Sequence, residues 1–182
     1  MSDWVIYGGG GHARVVGDAI KLNNEELVSY FDDNQDLVSI NEIPISPYHE
    51  SIAQQASLII GIGNNEIRRN ISKYIVHEFG IVLHPKATVA ADVVIGEGSI
   101  VLAGAVIQSG AIIGKHVVIN ANVTVDHDAM IGDFCSIYPN SYIGGGAKIG
   151  KGVSIEAGSS VARLTEIPAA FENDEVVALD LY

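Results

Sequence analysis

Residues 107–131 read IQSGAIIGKHVVINANVTVDHDAMI, and an aliphatic residue returns in this stretch at every sixth position. The same spacing holds from Val89 to Ile167, where each sixth residue is Val or Ile. A period of six matches neither the 3.6-residue repeat of an α-helix nor the alternation of an antiparallel hairpin. It matches short parallel strands joined by turns, three strands to a coil, with each coil covering the apolar face of the next. The sequence therefore predicts a parallel β-helix of about four and a half coils.

Two further features of the repeat support this interpretation. Two positions before each aliphatic residue stands a mostly small side chain, such as Ala105, Ala111 or Cys135. Glycine often follows the aliphatic residue, as at Gly114 and Gly132, and it permits a tight corner in which other residues would be strained. Cys135, the only cysteine, is thereby predicted to be a buried repeat residue rather than a nucleophile.

The overall composition argues against several classes of protein. The chain has 182 residues, 48% of them hydrophobic, which is typical of a globular protein. A formal net charge of −12 disfavours nucleic acid and anionic membranes as partners. A single cysteine rules out an intrachain disulfide, and the sequence has no run of the ~18 apolar residues that a membrane span needs. We therefore expect a cytoplasmic protein.

The first 84 residues follow a different pattern, which predicts a small α/β domain. Strands are predicted at WVIY, LVSYF, LIIGI and GIVL, with one helix after the GGGG segment and another after GNN, in the order β-α-β-β-α-β. Asn64 or Asn65 is a suitable cap for the second helix. This order is typical of a parallel sheet with helices, here only half the size of a dinucleotide-binding fold.

The glycine segment is a first candidate binding site. The spacing Gly8-x-Gly10-x-x-Ala13 satisfies a loose dinucleotide fingerprint. Backbone N–H groups and a helix N-terminus offer positive potential to phosphate, and the small size of the domain favours a mononucleotide or a nucleotide sugar. A tight turn without a ligand is the alternative interpretation of the same residues.

Five stretches taken together resemble a known family. YGGGGHARVV, FDDN, IGNNEIRRNI, LHPKATVAADVVIG and VINANVTVDHDAMIG are similar to stretches of the sialic acid O-acetyltransferase family of hexapeptide-repeat acyltransferases. Within that family they most resemble bacterial enzymes that N-acetylate a UDP- or dTDP-linked 4-amino-4,6-dideoxy sugar. The resemblance implies a Rossmann-like nucleotide-sugar-binding domain over residues 1–84, a left-handed parallel β-helix over residues 85–168 and an acidic tail over residues 169–182. It also implies acetyl-CoA as co-substrate and a homotrimer.

The resemblance assigns roles to the polar residues that interrupt the repeat. His127, on an outward corner, takes the place of the catalytic base, and Asp128 takes that of the carboxylate that orients its ring. Asn120 is implied to be a polar contact near the reaction centre. Gly145 is implied to offer its backbone N–H to the thioester oxyanion. A solvated polar corner is the alternative interpretation of the same histidine.

The nucleotide sugar is expected at the N-terminal domain. Its candidate residues are Gly8, Gly9, Gly10, Gly11, His12, Asp32, Asp33, Gly63 and Asn64. The glycines suit phosphate, whereas the acidic pair suits a base or a hydroxyl. Of the other histidines, His84 is expected to be structural, and surface positions are predicted for His49, His77 and His116. No two histidines have the spacing of metal ligands, so we expect no metal.

Two departures from the family affect the coenzyme. Where members often have a second histidine that helps to hold the acetyl group, this chain has Ser136, whose hydroxyl is expected to donate one hydrogen bond. Members also commonly end in a Gly-x-Pro-Ala-Lys/Arg stretch near the coenzyme, and this chain has no basic residue after Arg163. The 3′-phosphate of coenzyme A would then need Lys148, Lys151, Arg163 or a residue of a neighbouring chain.

Three functions remain open on the sequence alone. The first is N-acetylation of a nucleotide-linked amino sugar. The second is O-acetylation of sialic acid or another sugar, in which a less acidic hydroxyl would depend more strongly on His127. The third is a non-catalytic binding or scaffold protein that has lost its coenzyme site together with the altered C-terminus.

Overall fold

The computed structural model describes residues 3–171. The N-terminal part is a short α/β domain that consists of β1 (Asp3–Tyr7), α1 (Gly11–Leu22), β2 (Glu26–Phe31), β3 (Ser39–Ile40), β4 (Ile43–Ser46), β5 (Ser57–Ile60) and α2 (Asn65–Ser72). Its sheet has the order β3-β4-β2-β1-β5 and is parallel apart from the β3–β4 pair. The sequence pattern missed β3 and β4, because two short strands around a turn carry too few alternating residues to be recognised.

The two helices begin differently. Helix α1 follows Gly10, which has no side chain with which to cap it, and buries Val16, Ala19 and Ile20. Helix α2 is capped by Asn64, whose side-chain oxygen accepts a hydrogen bond from the amide of Ile67 at 2.9 Å, so one of the two predicted caps is confirmed. Neither helix approaches the length and apolarity of a membrane span, and residues 3–171 contain no other candidate for one.

The rest of the described chain is built from two-residue strands. They are β6 (Val82–Leu83), β7 (Thr88–Val89), β8 (Val94–Ile95), β9 (Ile100–Val101), β10 (Val106–Ile107), β11 (Ile112–Ile113), β12 (Val118–Ile119), β13 (Thr124–Val125), β14 (Met130–Ile131), β15 (Ser136–Ile137), β16 (Tyr142–Ile143), β17 (Lys148–Ile149), β18 (Ser154–Ile155), β19 (Ser160–Val161) and β20 (Glu166–Ile167). Every third strand joins the same parallel sheet, which gives a first face (β6, β9, β12, β15, β18), a second (β7, β10, β13, β16, β19) and a third (β8, β11, β14, β17, β20). The predicted parallel β-helix is confirmed.

The register of the strands shows the length of one coil. Thr124 pairs with Val106 on one side and with Tyr142 on the other, so residues 18 positions apart lie one above another. The turns between the second and third faces are residues 90–93, 108–111, 126–129, 144–147 and 162–165, and we call this column the His127 corner. The turns between the first and second faces, residues 84–87, 102–105, 120–123, 138–141 and 156–159, are the Asn120 corner.

The core of the β-helix consists of the aliphatic repeat residues. Ile107, Ile119 and Val125 are completely or almost completely buried, and they form one cluster with the small residues two positions before them. Cys135 belongs to this cluster, as predicted, and burial raises the pKa of its thiol to about 11. The six-residue period therefore fixes which side chains point inward.

One predicted strand belongs to a different sheet. GIVL was expected to complete the N-terminal sheet, but its strand, β6, pairs in parallel with β9 of the β-helix. Just before this strand, an isolated bridge between Leu58 and Phe79 links the chain to the N-terminal sheet. The sequence of a short apolar strand does not indicate which sheet the strand joins, so the local pattern could not predict that β6 belongs to the β-helix.

The N-terminal domain covers the first face of the β-helix. The outward side chains of Val82, Ile100 and Val118 on this face pack in one cluster with Trp4 and Ile20 of the α/β domain. The first face is therefore an internal interface of the chain, whereas the second and third faces remain exposed.

A buried arginine ties α2 to the β-helix. The guanidinium of Arg68, 0% exposed, donates from Nε to the carbonyl of His116 at 2.9 Å and from Nη2 to that of Phe134 at 3.1 Å. Burial lowers the pKa of Arg68 to about 10, so the group is still charged at neutral pH. Beside it, Asn65 Nδ2 donates to the carbonyl of Gly152 at 2.9 Å. These bonds satisfy carbonyl oxygens that the docking of the two domains removes from water.

Candidate active site

The turn of residues 126–129 presents His127 at the His127 corner. Asp128 adopts a left-handed conformation with φ of 59°, which lets the chain turn sharply after the histidine. The coils on either side hold this turn. The amide of Asp128 donates to the carbonyl of Ser109 at 3.1 Å, and the amide of Gly146 donates to the carbonyl of His127 at 3.0 Å.

His127 and Asp128 form a direct pair. His127 Nδ1 lies 2.8 Å from Asp128 Oδ2, with 47% and 71% of the two side chains exposed. An ionised carboxylate can only accept a hydrogen bond, so Nδ1 carries the proton and Nε2 keeps a free lone pair. The geometry of the pair is that of a general base with an orienting carboxylate.

Gly145 leaves room in front of the free nitrogen. A Cβ atom added at Gly145 would lie 2.9 Å from His127 Nε2, so no larger residue fits here without displacing the ring. The neighbouring turn residues, Gly144 and Gly146, also lack side chains. Among the described residues the Gly145 amide has no acceptor. An unoccupied donor beside a free base is a suitable arrangement for an oxyanion.

Sequence reasoning missed two further residues at this corner. Asp126 Oδ1 accepts a hydrogen bond from the amide of His127 at 2.8 Å, and Asp126 Oδ2 accepts one from the hydroxyl of Tyr142 at 2.8 Å. The bond from Tyr142, together with that from His127, holds the pKa of Asp126 below its ordinary value. Residues Thr124 and Tyr142 are 18 positions apart, so the repeat itself contained the signal that Tyr142 lies beside this turn.

Asn120 lies at a different corner from His127. It follows β12 in the turn of residues 120–123, and its Nδ2 donates to the carbonyl of Ile137 at 2.9 Å. Strand β13 separates it from the turn of His127. The two residues predicted to share a reaction centre are therefore not brought together within one chain.

Ser136 is not available to a coenzyme, which corrects the prediction for this residue. It begins β15 on the first face and is 2% exposed, beneath α2. Its hydroxyl donates to Asn65 Oδ1 at 2.6 Å and accepts from Arg68 Nη2 at 3.3 Å. The prediction failed because the docked N-terminal domain covers the face on which this hydroxyl lies.

The basic candidates lie on the third face and its edges. Lys148 pairs with Glu166 at 2.7 Å and Lys151 with Asp133 at 3.1 Å. Both lysines line a groove of about 710 Å³. Its floor includes Ile112, Met130 and Pro168, the residue that follows the last strand, β20. The groove combines an apolar floor with cationic groups at its rim.

Arg163 lies at the His127 corner itself. It occupies the turn one coil beyond Gly145, where its amide approaches Gly144 and its charge acts on Asp126. Of the three basic candidates it is the one in the same column as His127. The C-terminal residues 172–182, to which most of the predicted acidic tail belongs, lie outside the described residues.

The glycine loop uses two of its amides internally. Gly8, with φ of 122°, donates its amide to the carbonyl of Phe31 at 2.6 Å, and the amide of Gly9 donates to Asp32 Oδ2 at 2.6 Å. A Cβ atom at Gly10 would meet nothing within 4 Å, and α1 begins at Gly11. The open donors for a phosphate are therefore at the start of the helix rather than at Gly8 and Gly9.

The acidic pair is engaged by the glycine loop and by tyrosines. Asp32 holds the amide of Gly9, while both carboxylate oxygens of Asp33 accept from the Tyr7 hydroxyl at 3.0 and 2.9 Å. The hydroxyls of Tyr7 and Tyr74 lie 2.9 Å apart. Burial raises the pKa of Tyr7, so its hydroxyl stays protonated and keeps Asp33 in place.

Gly63 and Asn64 form the entry to α2. The carbonyl of Gly63 accepts from Arg68 Nη1 at 3.2 Å, and Asn64 is engaged as the helix cap. A Cβ atom at Gly63 would meet nothing within 4 Å, so open space adjoins this residue. Both residues follow β5, next to β1 in the sheet, and so lie at the same edge as the glycine loop.

Three histidines have environments that the sequence did not reveal. His12 Nε2 is buried without a hydrogen-bond partner among the described residues, and burial lowers its pKa to about 4. The surface positions predicted for His77 and His116 are wrong, since they are 6% and 5% exposed. His77 bonds to Tyr48, and His116 stacks on Phe134, because tertiary packing covers both rings.

His49 is exposed, as predicted, with Nδ1 2.8 Å from the hydroxyl of Ser51. His84 Nδ1 accepts from the amide of Lys86 at 3.0 Å and so shapes the first turn of the β-helix. The described part of the chain contains no group of three His, Cys, Asp or Glu side chains arranged to hold a metal ion.

Comparison with known families identifies both halves of the chain. Residues 3–75 match the PglD N-terminal domain family, and residues 92–127 and 128–163 match the bacterial transferase hexapeptide family of six repeats. The chain thus combines a segment similar to the PglD N-terminal domain with hexapeptide repeats, in agreement with the resemblance of its sequence to hexapeptide-repeat acyltransferases. The resemblance of the sequence to these acyltransferases is confirmed.

Individual relatives are sugar N-acetyltransferases. The UDP-N-acetylbacillosamine N-acetyltransferase of Bacillus subtilis is 29% identical over 113 residues, a match that covers 57% of this chain and about half, 52%, of that protein. A GDP-perosamine N-acetyltransferase variant from Caulobacter crescentus, solved with CoA and GDP-perosamine, is 28% identical with a TM-score of 0.87 over 93% of this chain and 84% of that one. The acetyltransferase domain of PglB from Neisseria gonorrhoeae, solved with acetyl coenzyme A, is 27% identical with a TM-score of 0.66 over 92% of this chain and 88% of that one.

Proposed function

We propose that the protein transfers the acetyl group of acetyl-CoA to the amine of a nucleotide-linked amino sugar of the 4-amino-4,6-dideoxy class. The observation that carries the proposal is the His127–Asp128 pair, 2.8 Å between Nδ1 and Oδ2, with Nε2 free and facing the space that Gly145 leaves open. The similarity to sugar N-acetyltransferases over both domains supports the same chemistry.

The chemical step follows from the atoms at this corner. The sugar amine attacks the thioester carbon, and His127 Nε2 takes a proton from the nitrogen as the C–N bond forms. The oxyanion that develops on the carbonyl oxygen meets the amide of Gly145. When the C–S bond breaks, the imidazolium returns the proton to the leaving sulfur, which gives free CoA and the N-acetylated sugar. Asp128 fixes the ring and stabilises its charged form throughout.

The nucleotide part of the substrate is proposed to bind the Rossmann-like domain. The start of α1, at Gly10 and Gly11, offers free amides and the positive end of a helix dipole to a phosphate. The Asp32 carboxylate lies beside this loop and would repel phosphate, so it is proposed to face the ribose or the base. His12, neutral at physiological pH because of its burial, is proposed to line the loop from below.

The coenzyme is proposed to lie along the groove of the third face. Lys148 and Lys151 at its rim would exchange their carboxylate partners, Glu166 and Asp133, for the phosphates of the coenzyme. Arg163 is closer to the reaction centre and is the candidate for a phosphate or for the pantetheine amide near the thioester. The Lys148–Glu166 pair is exposed, so breaking it costs little, whereas the Lys151–Asp133 pair has one partly buried partner.

A homotrimer with sites between neighbouring left-handed β-helices is proposed for the active form. Asn120 and His127 lie at different corners of one chain, so a shared reaction centre needs the Asn120 of a neighbour. The third face also exposes a column of apolar side chains, Val94, Ile112 and Met130, at 60%, 43% and 43%. Light scattering at micromolar concentration should give a trimer, and a monomer that catalyses transfer would contradict the shared site.

The activity is tested with acetyl-CoA and a panel of UDP-, dTDP- and GDP-linked amino sugars. Release of free thiol together with the mass gain of one acetyl group on one sugar confirms the proposal. An acetyl group that alkali removes from the product indicates an ester and favours O-acetylation. Binding of a nucleotide sugar with no thiol release from any member of the panel indicates a binding protein.

A further inference from the structure

Tyr142 and Asp126 link two successive coils at the His127 corner. Tyr142 is the first residue of β16 on the second face, one coil beyond Thr124, and it points outward with 37% exposure. Its hydroxyl reaches back to Asp126 Oδ2 at 2.8 Å, the residue that opens the turn of His127. Nothing in the proposed reaction uses this contact.

The carboxylate of Asp126 connects the tyrosine to the backbone of the base. Its other oxygen, Oδ1, accepts from the amide of His127 at 2.8 Å, so one carboxylate joins the Tyr142 hydroxyl to the His127 main chain. The backbone of this turn is also held by the amides of Asp126, Asp128 and Gly146, which donate to the carbonyls of Ile143, Ser109 and His127. The ring of His127 is thus held by Asp128, and Asp126 is the side chain that holds its backbone amide.

The charges near this turn come from the turn itself and from the coils on either side of it. Arg163, two coils beyond the turn of residues 126–129, acts on Asp126, and Asp128 contacts the ring. Asp92, two coils before, is engaged by the hydroxyl of Ser109 at 2.7 Å and by the amide of Gly110. Asp126 is therefore a second negative charge close to the imidazole, and the positive charge of Arg163 also acts on it.

We infer that Asp126 and Tyr142 are positioning residues for the base: the hydroxyl of Tyr142 fixes the carboxylate of Asp126, which orients the backbone of His127 and stabilises its protonated form. The inference rests on the proposed function, because it assigns His127 the role of base. Neither residue contacts the place of the reacting atoms, so both act through His127.

Four variants separate geometry from charge. Asp126→Ala removes both the acceptor and the charge, Asp126→Asn keeps an acceptor without the charge, and Tyr142→Phe removes only the hydroxyl. Glu97→Gln is the matched control, since Glu97 is also an exposed carboxylate that joins two successive coils, through Lys115 at 2.7 Å, and it lies in a turn outside both the His127 corner and the Asn120 corner. Circular dichroism and light scattering confirm that each variant keeps the fold and assembly of the wild type.

The variants should differ in kcat and in pH profile rather than in KM. Asp126→Ala should lower kcat by about 30-fold or more, and Asp126→Asn and Tyr142→Phe by about threefold to tenfold, since a misplaced base loses alignment. Removing the negative charge disfavours the imidazolium, so in both Asp126 variants the acid limb of kcat/KM should move to lower pH, by on the order of 0.3 pH unit for exposed groups. Tyr142→Phe keeps the negative charge of Asp126 and should not move the acid limb, and Glu97→Gln should match the wild type.

A measurement independent of activity separates this inference from the proposed function. The His127 ring resonances, assigned by their absence in His127→Ala, should titrate at lower pH in Asp126→Asn than in the wild type, and they should broaden in Tyr142→Phe. Unchanged titration and unchanged kcat in all variants would overturn the inference while leaving the acetyltransferase proposal intact. A wild-type protein that acetylates nothing would overturn the proposed function, and the resonances would still decide whether Asp126 and Tyr142 position His127.

Discussion

Replacing Gly145 by alanine tests the geometry of the proposed reaction centre most directly. The added Cβ atom would lie 2.9 Å from His127 Nε2 and 3.1 Å from its Cε1. Favourable contacts between such atoms begin at ~3.5 Å, so the methyl group and the ring cannot both stay in place. Either the ring rotates and breaks its 2.8 Å bond with Asp128, or the methyl group occupies the position from which the amine must reach Nε2.

Both outcomes remove the contribution of the base. The nucleophile must come within ~2.6–3.2 Å of Nε2, and a methyl group at 2.9 Å excludes it. We therefore expect Gly145→Ala to lower kcat/KM by about two to four powers of ten, the range of general-base catalysis. The fold should be retained, because Gly145 lies outside the left-handed region of the backbone and alanine can adopt its conformation.

Gly144→Ala provides the contrasting control one residue earlier. Its Cβ atom would lie 2.6 Å from the backbone nitrogen of Arg163, which cannot move without distorting the next coil. This variant should lose ~1–3 kcal/mol of stability and several degrees in Tm. Thiol release measures activity and circular dichroism measures Tm. Wild-type kcat/KM in Gly145→Ala, or a loss of Tm as large as in Gly144→Ala, would refute the assignment of this glycine.

Three further predictions concern the base, the domain interface and pH. His127→Ala should lower turnover by ~10²–10⁴ and Asp128→Asn by less, and in steady-state assays the two losses should not add, since both act on one proton transfer. Arg68→Met should lower the free energy of unfolding by ~2–4 kcal/mol in thermal melts, because it leaves buried carbonyl oxygens unpaired. Burial lowers the pKa of His12 and His116 to about 4 from 6.5, so the unfolded chain binds more protons between these values and stability falls as pH drops through that window. The free energy of unfolding, measured by urea titration, should fall by up to ~3 kcal/mol per histidine as the pH drops through this window. His116→Asn should remove the part of this loss that His116 contributes.

The sequence predicted the β-helix because its signal is strictly local and repeated. Each inward residue, such as Ile119 or Val125, meets its equivalents 18 positions away, so one period specifies the whole core. The position of His127 outside the apolar set follows from the same period. What the period leaves open is which of the three outward faces is covered. Ser136 and His127 both lie outside the apolar set, yet one is buried and the other is half exposed.

Only the tertiary structure decided these differences. The α/β domain docks on the first face through Arg68 and the cluster around Trp4, and this docking buries Ser136 and recruits β6 to the β-helix. Such contacts join residues far apart in the chain, and no local pattern of apolar residues records them. The stacking of successive coils likewise places Tyr142 on Asp126, a contact between the side chains of two coils. The sequence by itself determined the repeating backbone and its core, because both depend on near neighbours in the period, whereas burial, hydrogen-bond partners and the surroundings of His127 depend on which surfaces meet in three dimensions.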